Sequence, residues 1–562
     1  MSEKIKVTIV MDDEKQNMEA DTNGGKNVIV THDPSMTLMS TLLQNNLVEG
    51  SFCGGRGDCG RCMVQFMQGI PLPTPLERSR LEAQELRQGY RLACLARPKD
   101  DCVIKLMFPK ETKISIVTEM IELSDIFDFN GQRNKSSKCN KMDVTESGVS
   151  CNPTGQSGNK NTAVINTDVM IQTEAGSCDA SSNLYIVAVD LGTTTIAMQL
   201  RKIETGEAID TYCEMNPQRK YGADVLSRIQ ASCEGHREAL KQCVWSVLER
   251  GMSQFAQVVE MEAVKGICIA GNTTMGHLLL GYEVSSLGKS PFTPVDIGLQ
   301  ECKGPFGIPL YITPGISAFV GGDIVAGLYV LGMLPKTRLG QEVKEHMAVH
   351  PQKALKARLL IDLGTNGEMA ITDGKNLLVT ATAAGPAFEG GMEKSVVGTD
   401  MIAVTASLRR KGILDATGLL AEPYFTKGVR VQTPNGDFVL RNQDIRALQM
   451  AKAAVRAGVE ILWEQMGRPE IENVYLAGGF GYYLDVEAAF SIGLLSEHMR
   501  GHVQAVGNTS LEGAFRIGRD LCSHMEDKKS LEAGLSSAKS INLAGQAAFE
   551  RLYLQYMDLC EN

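Results

Sequence analysis

Two segments of this sequence share one pattern: an apolar strand that ends in Asp and is followed at once by a Gly-Thr turn. The first reads YIVAVDLGTTT over Tyr185–Thr195, and the second reads LLIDLGTNGE over Leu359–Glu368. The two carboxylates, Asp190 and Asp362, are suited to holding Mg²⁺ or orienting a water. Gly-Thr turns offer N–H and hydroxyl donors to phosphate oxygens. The repeat predicts a duplicated α/β fold whose halves face one phosphorylated ligand across a cleft.

A third strand-end turn carries only small residues. It reads YLAGGFG over Tyr475–Gly481, and its glycines Gly478 and Gly479 permit the close backbone approach that an adenosine pocket requires. The competing interpretation is that the three turns are unrelated loops at strand ends. The sequence contains no G-x-x-x-x-G-K-[ST] motif, so a P-loop nucleotide site is excluded.

A glycine-rich loop near the N-terminus concentrates three of the 15 cysteines. The segment SFCGGRGDCGRC places Cys53, Cys59 and Cys62 at C-x5-C-x2-C spacing, and Cys94 follows in RLAC. Four thiolates satisfy two irons, and the glycines let the loop turn sharply around a cluster. A zinc site is the alternative, although zinc sites favour two paired cysteine motifs. Cys102 is a second candidate for the fourth ligand.

Composition divides the 562-residue chain into three parts. Residues 1–109 alternate strand and helix patterns as an α+β unit of the β-grasp kind. Residues 110–183 are rich in Asn, Ser, Gly and Lys, which predicts a polar linker or at most a reduced middle domain. Residues 184–562 alternate apolar strands with long helices and predict an α/β domain.

Charge and hydropathy limit the partners and the compartment. The net charge of −10 argues against nucleic-acid binding, which needs a basic face. The longest apolar stretch, Ala318–Leu334, contains Asp323 and several glycines, so it is expected to be buried core rather than a membrane span. The N-terminus lacks the apolar core of a secretory signal. We expect a cytoplasmic protein that binds neither membrane nor nucleic acid.

These motifs resemble two known kinds of module. The first hundred residues resemble a [2Fe–2S] ferredoxin, with Cys94 delivered after a helix as that family delivers its fourth ligand. The three strand-end turns resemble the two phosphate motifs and the adenosine motif of the superfamily that contains sugar kinases, Hsp70-type chaperones and actin. The resemblance implies a ribonuclease-H-like duplicated ATPase domain that binds ATP and Mg²⁺.

The whole chain resembles the reductive activators of corrinoid enzymes. Four longer segments carry this resemblance: NPQRKYGADVLSRI (Asn216–Ile229), GNTTMGHLLLG (Gly271–Gly281), FVGGDIVAG (Phe319–Gly327) and GNTSLEGA (Gly507–Ala514). The family implies that the cluster gives one electron to a Co(II) corrinoid protein of a methyltransferase system. It also implies that ATP hydrolysis makes this reduction to Co(I) productive. An electron donor is a further implied partner, and the oligomeric state stays open between monomer and homodimer.

Matching the motifs assigns roles to individual residues. The cluster ligands are Cys53, Cys59, Cys62 and Cys94. The catalytic carboxylates are Asp190 and Asp362. The phosphate-binding residues are Thr193, Thr194, Gly364 and Thr365, and the residues bordering adenosine are Gly478 and Gly479. Asn366 and Glu368 are candidates for contacts with phosphate or water, whereas Asn272 and Asp323 serve equally well as cleft residues or as turn formers.

Three rival functions remain open on the sequence. One is an activator of a 2-hydroxyacyl-CoA dehydratase or related radical enzyme, which would require an additional pair of cysteines in the ATPase region. Another is a small-molecule kinase with an accessory ferredoxin. The third is an ATP-gated binding module whose cluster senses redox state.

Overall fold

The computed structural model describes residues 4–10, 28–45, 47–48, 62–81, 83–107, 114–116, 142–144, 183–335, 356–364, 366–384, 398–433, 436–523 and 526–560. Strands and helices in these residues are numbered β1–β21 and α1–α15 in chain order. Cys53, Cys59 and Thr365, which the sequence assigns to the two sites, lie outside the described residues.

The N-terminal module is a mixed five-stranded sheet with the order β2-β1-β5-β3-β4. Its strands are β1 Ile5–Val10, β2 Val28–His32, β3 Met63–Gln68, β4 Tyr90–Leu92 and β5 Cys102–Leu106, and its helices are α1 Leu38–Gln44, α2 Pro75–Arg80 and α3 Ala83–Arg87. β1 runs parallel to β5, and its alternating Val7 and Ile9 side chains pack with Leu38 and Leu42 of α1. The predicted β-grasp layout is confirmed.

The sequence pattern predicts one helix across Pro75–Arg87, and this prediction is wrong because the structure has two helices there. Thr74 and Glu77 form a capping box that starts α2. Leu81 then adopts an extended backbone with ψ of 143° and packs against the core of the module. Helix α2 therefore ends at Arg80, and α3 starts again at Ala83.

Two six-stranded sheets follow, and five strands of each share one topology. The first has the order β10-β9-β8-β11-β13-β12 and the second has the order β20-β19-β14-β15-β16-β21. In each sheet three strands that are consecutive in the chain pair antiparallel to one another. Two later strands then lie beside the first of these three and run parallel to it. The run β10-β9-β8-β11-β13 thus corresponds to β16-β15-β14-β19-β20, and the predicted duplication of a ribonuclease-H-like unit is confirmed.

The strands of the two sheets, and of the two smaller strand pairs, have the following bounds. The strands of the first sheet are β8 Tyr185–Leu191, β9 Thr195–Lys202, β10 Ala208–Met215, β11 Val264–Gly271, β12 Gln300–Lys303 and β13 Pro309–Ile312. Those of the second are β14 Ala357–Leu363, β15 Gly367–Thr372, β16 Leu377–Thr382, β19 Ile471–Ala477, β20 Val503–Gly507 and β21 Ala538–Ser540. The remaining pairs are β6 Ile114–Ile116 with β7 Met142–Val144, which falls in the stretch expected to be linker, and β17 Val429–Thr433 with β18 Gly436–Leu440.

Helices cover the two sheets. They are α4 Val225–Ala231, α5 Arg237–Phe255, α6 Thr273–Leu280, α7 Gly322–Val330, α8 Gly398–Arg410, α9 Tyr424–Lys427, α10 Asn442–Gln465, α11 Gly478–Tyr483, α12 Val486–Ser491, α13 Thr509–Ser523, α14 Glu526–Leu535 and α15 Ala547–Gln555. The apolar stretch around α7 is buried core, as expected. Among the described residues, no helix is both long enough and apolar enough to cross a bilayer.

Helices α7 and α13 pack side by side in a core that includes side chains from both sheets. Their close approach depends on small residues. A Cβ at Gly513 would lie 2.3 Å from the carbonyl oxygen of Ala326, and one at Gly327 would lie 2.8 Å from Thr509 Oγ1. This contact fixes the start of α13, at Thr509, beside the ends of β8 and β14.

Candidate functional site: an iron–sulfur pair and a nucleotide cleft

Two of the four predicted cluster cysteines meet in the N-terminal module. Cys62 precedes β3 and Cys94 follows β4, so the antiparallel pairing of these strands brings the two residues together. Their sulfur atoms lie 3.2 Å apart and both side chains are buried. That separation is well beyond the roughly 2.05 Å of a disulfide bond. Two converging thiols are the donors that one iron of a cluster needs.

The alternative fourth ligand, Cys102, lies elsewhere in the module. It is part of β5, where its side chain is buried among the apolar residues of the core. Burial, with a smaller contribution from Asp101, raises the pKa of the Cys102 thiol to about 12. The structure favours Cys94 over Cys102 because the Cys94 sulfur lies 3.2 Å from that of Cys62.

The first Asp-Gly-Thr unit forms the hairpin between β8 and β9. Asp190 lies near the end of β8, and a Cβ at Gly192 would lie 2.8 Å from the carbonyl oxygen of Thr195, so the turn requires glycine. Asn508 Nδ2 donates to one carboxylate oxygen of Asp190 and Ser510 Oγ donates to the other, each at 2.8 Å. Both oxygens of Asp190 are therefore held from α13 and the residue before it.

The second unit forms the equivalent hairpin between β14 and β15. Asp362 pairs across the hairpin with Glu368, and the amide of Gly364 donates to the carbonyl of Asn366 at 2.9 Å. The adenosine-type glycine Gly478 follows the neighbouring strand β19 and has φ of +78°. A Cβ at this position would lie 2.5 Å from Asp362 Oδ1, so this close approach and the positive φ both require glycine.

One cleft collects most of the predicted residues. It is lined by Asp190, Gly192, Thr193, Asn272, Asp323, Asp362, Gly364, Asn366, Glu368, Gly478, Gly479, Asn508, Thr509 and Ser510. The structure thus brings both catalytic candidates together with the phosphate and adenosine candidates. It also brings in Asn272 and Asp323. Thr194 is in the first hairpin but not among the lining residues.

Sequence reasoning missed Asn508, Thr509 and Ser510 as residues of the cleft. These three belong to the GNTSLEGA segment, which runs from the last residue of β20 into α13. The available signal was a small polar run directly after an apolar strand, the same strand-end position that pointed to the other loops.

Burial and crowding make the carboxyl groups of the cleft resist ionisation. Burial, followed by the charges of Asp323 and Asp190, raises the pKa of Asp362 to about 7. Burial, with repulsion from Asp190, raises the pKa of Asp323 to about 6. Burial also raises the pKa of Asp190, against the opposing hydrogen bonds from Asn508 and Ser510. A bound cation would relieve this repulsion.

Glu368 behaves in the same way. Burial, with repulsion from Asp323 and Asp362, raises its pKa well above the ordinary value. Within the described part of the chain, no three Asp, Glu, His or Cys side chains converge closely enough to enclose a metal ion. A Mg²⁺ that is also held by phosphate oxygens and water needs only one or two carboxylates, which the acidic residues of the cleft could supply.

The fold and the cleft define a class of protein: an ATPase of the ASKHA type, the superfamily of sugar kinases, joined to a 2Fe–2S ferredoxin domain. Family models support each part. The 2Fe-2S iron-sulfur cluster binding domain matches residues 21–99, the RACo middle region matches 185–336, and the C-terminal ASKHA domain of RACo matches 356–395 and 392–562.

The two RACo models together match residues 185–336 and 356–562, so the chain belongs to the RACo family. It is 30% identical over 398 residues to the corrinoid activation enzyme RamQ of Eubacterium limosum, a match that covers 59% of this chain and 63% of RamQ. It is 21% identical over 426 residues to the [Co(II) methylated amine-specific corrinoid protein] reductase of Methanosarcina barkeri, covering 66% of this chain and 76% of that protein. The match to RamQ therefore spans less than two thirds of that relative's length.

A solved structure shares the fold over the full chain. The reductive activator for corrinoid,iron-sulfur protein superposes with a TM-score of 0.56 at 23% identity, covering 99% of this chain and 98% of that one. The middle-region match begins at residue 185, so it lies in the part that the sequence assigned to the ATPase domain rather than in residues 110–183.

Proposed function

We propose that this protein is a cytoplasmic, ATP-dependent reductive activator of a corrinoid protein in a methyltransferase system. Its activity would be the one-electron reduction of Co(II) to Co(I), coupled to hydrolysis of ATP to ADP and phosphate. The single observation that carries the proposal is the presence, on one RACo-family chain, of a converging cysteine pair and a cleft with two Asp-Gly-Thr hairpins. The relatives named for corrinoid activation and corrinoid reduction support the choice of acceptor.

We assign the electron-carrying end to Cys53, Cys59, Cys62 and Cys94. When bound there, a [2Fe–2S] cluster supplies a low-potential electron that is passed on singly. The burial of Cys62 and Cys94 keeps water from this side of the site. The physiological electron donor would act on this module, and the proposed division at residues 109 and 183 leaves the module connected to the ATPase domain by a polar segment.

We assign ATP to the cleft between the two sheets. Asp190 and Asp362 would hold Mg²⁺ or orient the attacking water, and the backbone of the two hairpins, with Thr193, Thr194, Gly364 and Thr365, would hold the phosphates. Gly478 and Gly479 would border the adenosine. Because Asn508, which follows a strand of the second sheet, donates to Asp190 at the end of a strand of the first, a movement of Asn508 on hydrolysis would reach both sheets.

The test is an anaerobic assay with the full chain carrying its cluster. The reduced protein is mixed with a Co(II) corrinoid protein, and the absorption of Co(I) is followed with and without Mg-ATP. We expect Co(I) to form only when Mg-ATP is present. Equal formation without the nucleotide would overturn the proposal, and appearance of a phosphorylated small molecule in place of Co(I) would favour the kinase instead.

A further inference from the structure

The segment Asn216–Ile229, NPQRKYGADVLSRI, is among the most distinctive stretches of the chain. It runs from the end of β10 into α4 and contacts the hairpin that joins β8 to β9. Two of its side chains, Asn216 and Arg228, contact that hairpin and are fully buried. Neither residue lines the nucleotide cleft.

The contacts involve every carbonyl group of the turn between the two strands. Asn216 Nδ2 donates to the carbonyl of Gly192 at 2.8 Å, and the Asn216 amide donates to that of Thr194 at 2.9 Å. The remaining carbonyl, that of Thr193, accepts from the guanidinium of Arg228. One segment of chain thus fixes all three peptide carbonyls of the phosphate hairpin.

Local structure places these two side chains. The side chain of Asn216 caps the turn that starts at Pro217 by accepting from the amide of Gln218 at 3.0 Å. Asp224 caps α4 by accepting from the amide of Ser227 at 2.7 Å, and Arg228 lies in the last turn of this short helix.

The guanidinium of Arg228 is directed by a set of neutral acceptors. It donates to the carbonyl of Gly222 at 3.0 Å, to Gln218 Oε1 at 3.2 Å and to Met275 Sδ at 3.1 Å. The planar guanidinium has donors enough for these contacts and for Thr193 as well, which an ammonium group does not match. The positive charge of Arg228 therefore lies next to the turn between β8 and β9.

We propose that Asn216 and Arg228 are positioning residues for ATP, a role that rests on the cleft being a nucleotide site. In a trans peptide the carbonyl and the following N–H point in opposite directions. Holding the carbonyls of Gly192 and Thr193 therefore directs the amides of Thr193 and Thr194 away from the segment, and Gly192 and Thr193 line the cleft. The hairpin is then preorganised to donate to phosphate before ATP arrives.

The test uses two variants in the full chain. Asn216→Ser keeps a capping oxygen for the turn but is too short to reach Gly192. Arg228→Lys keeps the positive charge but lacks the planar array of N–H donors of the guanidinium. The matched control is Gln230→Ala on the same helix, where an exposed amide donates to Glu234. Affinities for Mg-ATP and for adenosine, together with the melting temperature, are measured for each protein.

Loss of one or two such hydrogen bonds should weaken Mg-ATP binding about tenfold or more, with adenosine affinity unchanged because adenosine carries no phosphate. The control should bind both ligands like the wild type. Unchanged Mg-ATP affinity in Asn216→Ser would overturn the inference, as would an equal loss for adenosine and ATP, since either result means a structural role alone. If Arg228→Lys does not fold, Asn216→Ser decides. Failure of the wild type to bind Mg-ATP would instead remove the proposed function itself.

Discussion

Asn508 donates to the carboxylate of Asp190 at 2.8 Å although 318 positions separate the two residues in the chain. The contact joins the end of β20, in the second sheet, to the end of β8, in the first. Ser510 holds the other carboxylate oxygen at the same distance. The orientation of Asp190 therefore depends on the packing of α13 against α7, and not only on its own hairpin.

Removing the Asn508 side chain should slow ATP hydrolysis. A hydrogen bond to a charged group contributes about 1.5–3 kcal/mol, so Asn508→Ala is expected to lower the hydrolysis rate on the order of ten- to a hundredfold. Steady-state phosphate release measures this directly. Ser523→Ala is the matched control, because its exposed hydroxyl on the same helix donates to the carbonyl of Arg519 and does not line the cleft. Equal hydrolysis rates in the two variants would show that ATP hydrolysis does not depend on the hydrogen bond from Asn508 to Asp190.

Substitutions at Gly478 and Gly467 distinguish steric overlap within the cleft from backbone strain. Both have positive φ, +78° and +85°, but a Cβ at Gly478 would lie 2.5 Å from Asp362 Oδ1 and one at Gly467 meets nothing within 4 Å. Gly467→Ala should cost about 1–2 kcal/mol of stability from backbone strain alone. Gly478→Ala should show that cost and in addition weaken Mg-ATP binding more than tenfold, measured by titration calorimetry. Similar Mg-ATP affinities in both variants would contradict the assignment of Gly478 to the adenosine site.

The two buried cysteines of the N-terminal module should differ in their effect on the cluster. Cys94→Ser removes a thiol 3.2 Å from Cys62 and is expected to abolish most of the cluster absorption after anaerobic reconstitution. Cys102→Ser replaces a core thiol whose pKa is raised, and the variant should keep its iron. Iron content and visible absorption measure the outcome. Retention of a normal cluster in Cys94→Ser, with loss in Cys102→Ser, would reverse the ligand assignment.

His277 should make the ATPase domain less stable in mild acid. Its Nδ1 lies 2.8 Å from the carbonyl of Thr273, and its Nε2 accepts from the amide of Val295 at 3.1 Å, so the ring is neutral in the fold. Burial lowers the pKa of His277, against opposing contributions from the Thr273 carbonyl and Asp296.

The unfolded chain therefore binds this proton more readily than the folded one. The stabilisation is complete above the ordinary pKa of about 6.5 and is lost as the pH falls from there towards the lowered value. Urea unfolding at pH 7.5 and pH 5.5 is compared for the wild type and for His277→Gln, which does not titrate. The wild type should lose more stability than the variant, and an equal loss would show that His277 does not contribute.

Local patterns were enough to predict the elements that carry the chemistry. The strand–Asp–Gly–Thr repeat predicted both hairpins and the duplication, because an apolar strand and its turn are encoded by neighbouring residues. The hydrogen bond from Asn508 to Asp190 could not be predicted, because the tertiary packing of α13 brings these two distant residues together. The break at Leu81 was also missed, because a side chain that leaves a helix to reach the core overrides local helix preference.

The central claim is that one chain carries an electron site and an ATP site that act together but can be separated. It is tested by anaerobic reduction of a Co(II) corrinoid protein by the wild type, by Cys94→Ser and by Asp190→Ala, each with and without Mg-ATP. We predict Co(I) only for the wild type with Mg-ATP, no reduction by Cys94→Ser, and a normal cluster spectrum without ATP-dependent reduction for Asp190→Ala. An Asp190→Ala protein that reduces cobalt in response to Mg-ATP as fast as the wild type would contradict the claim.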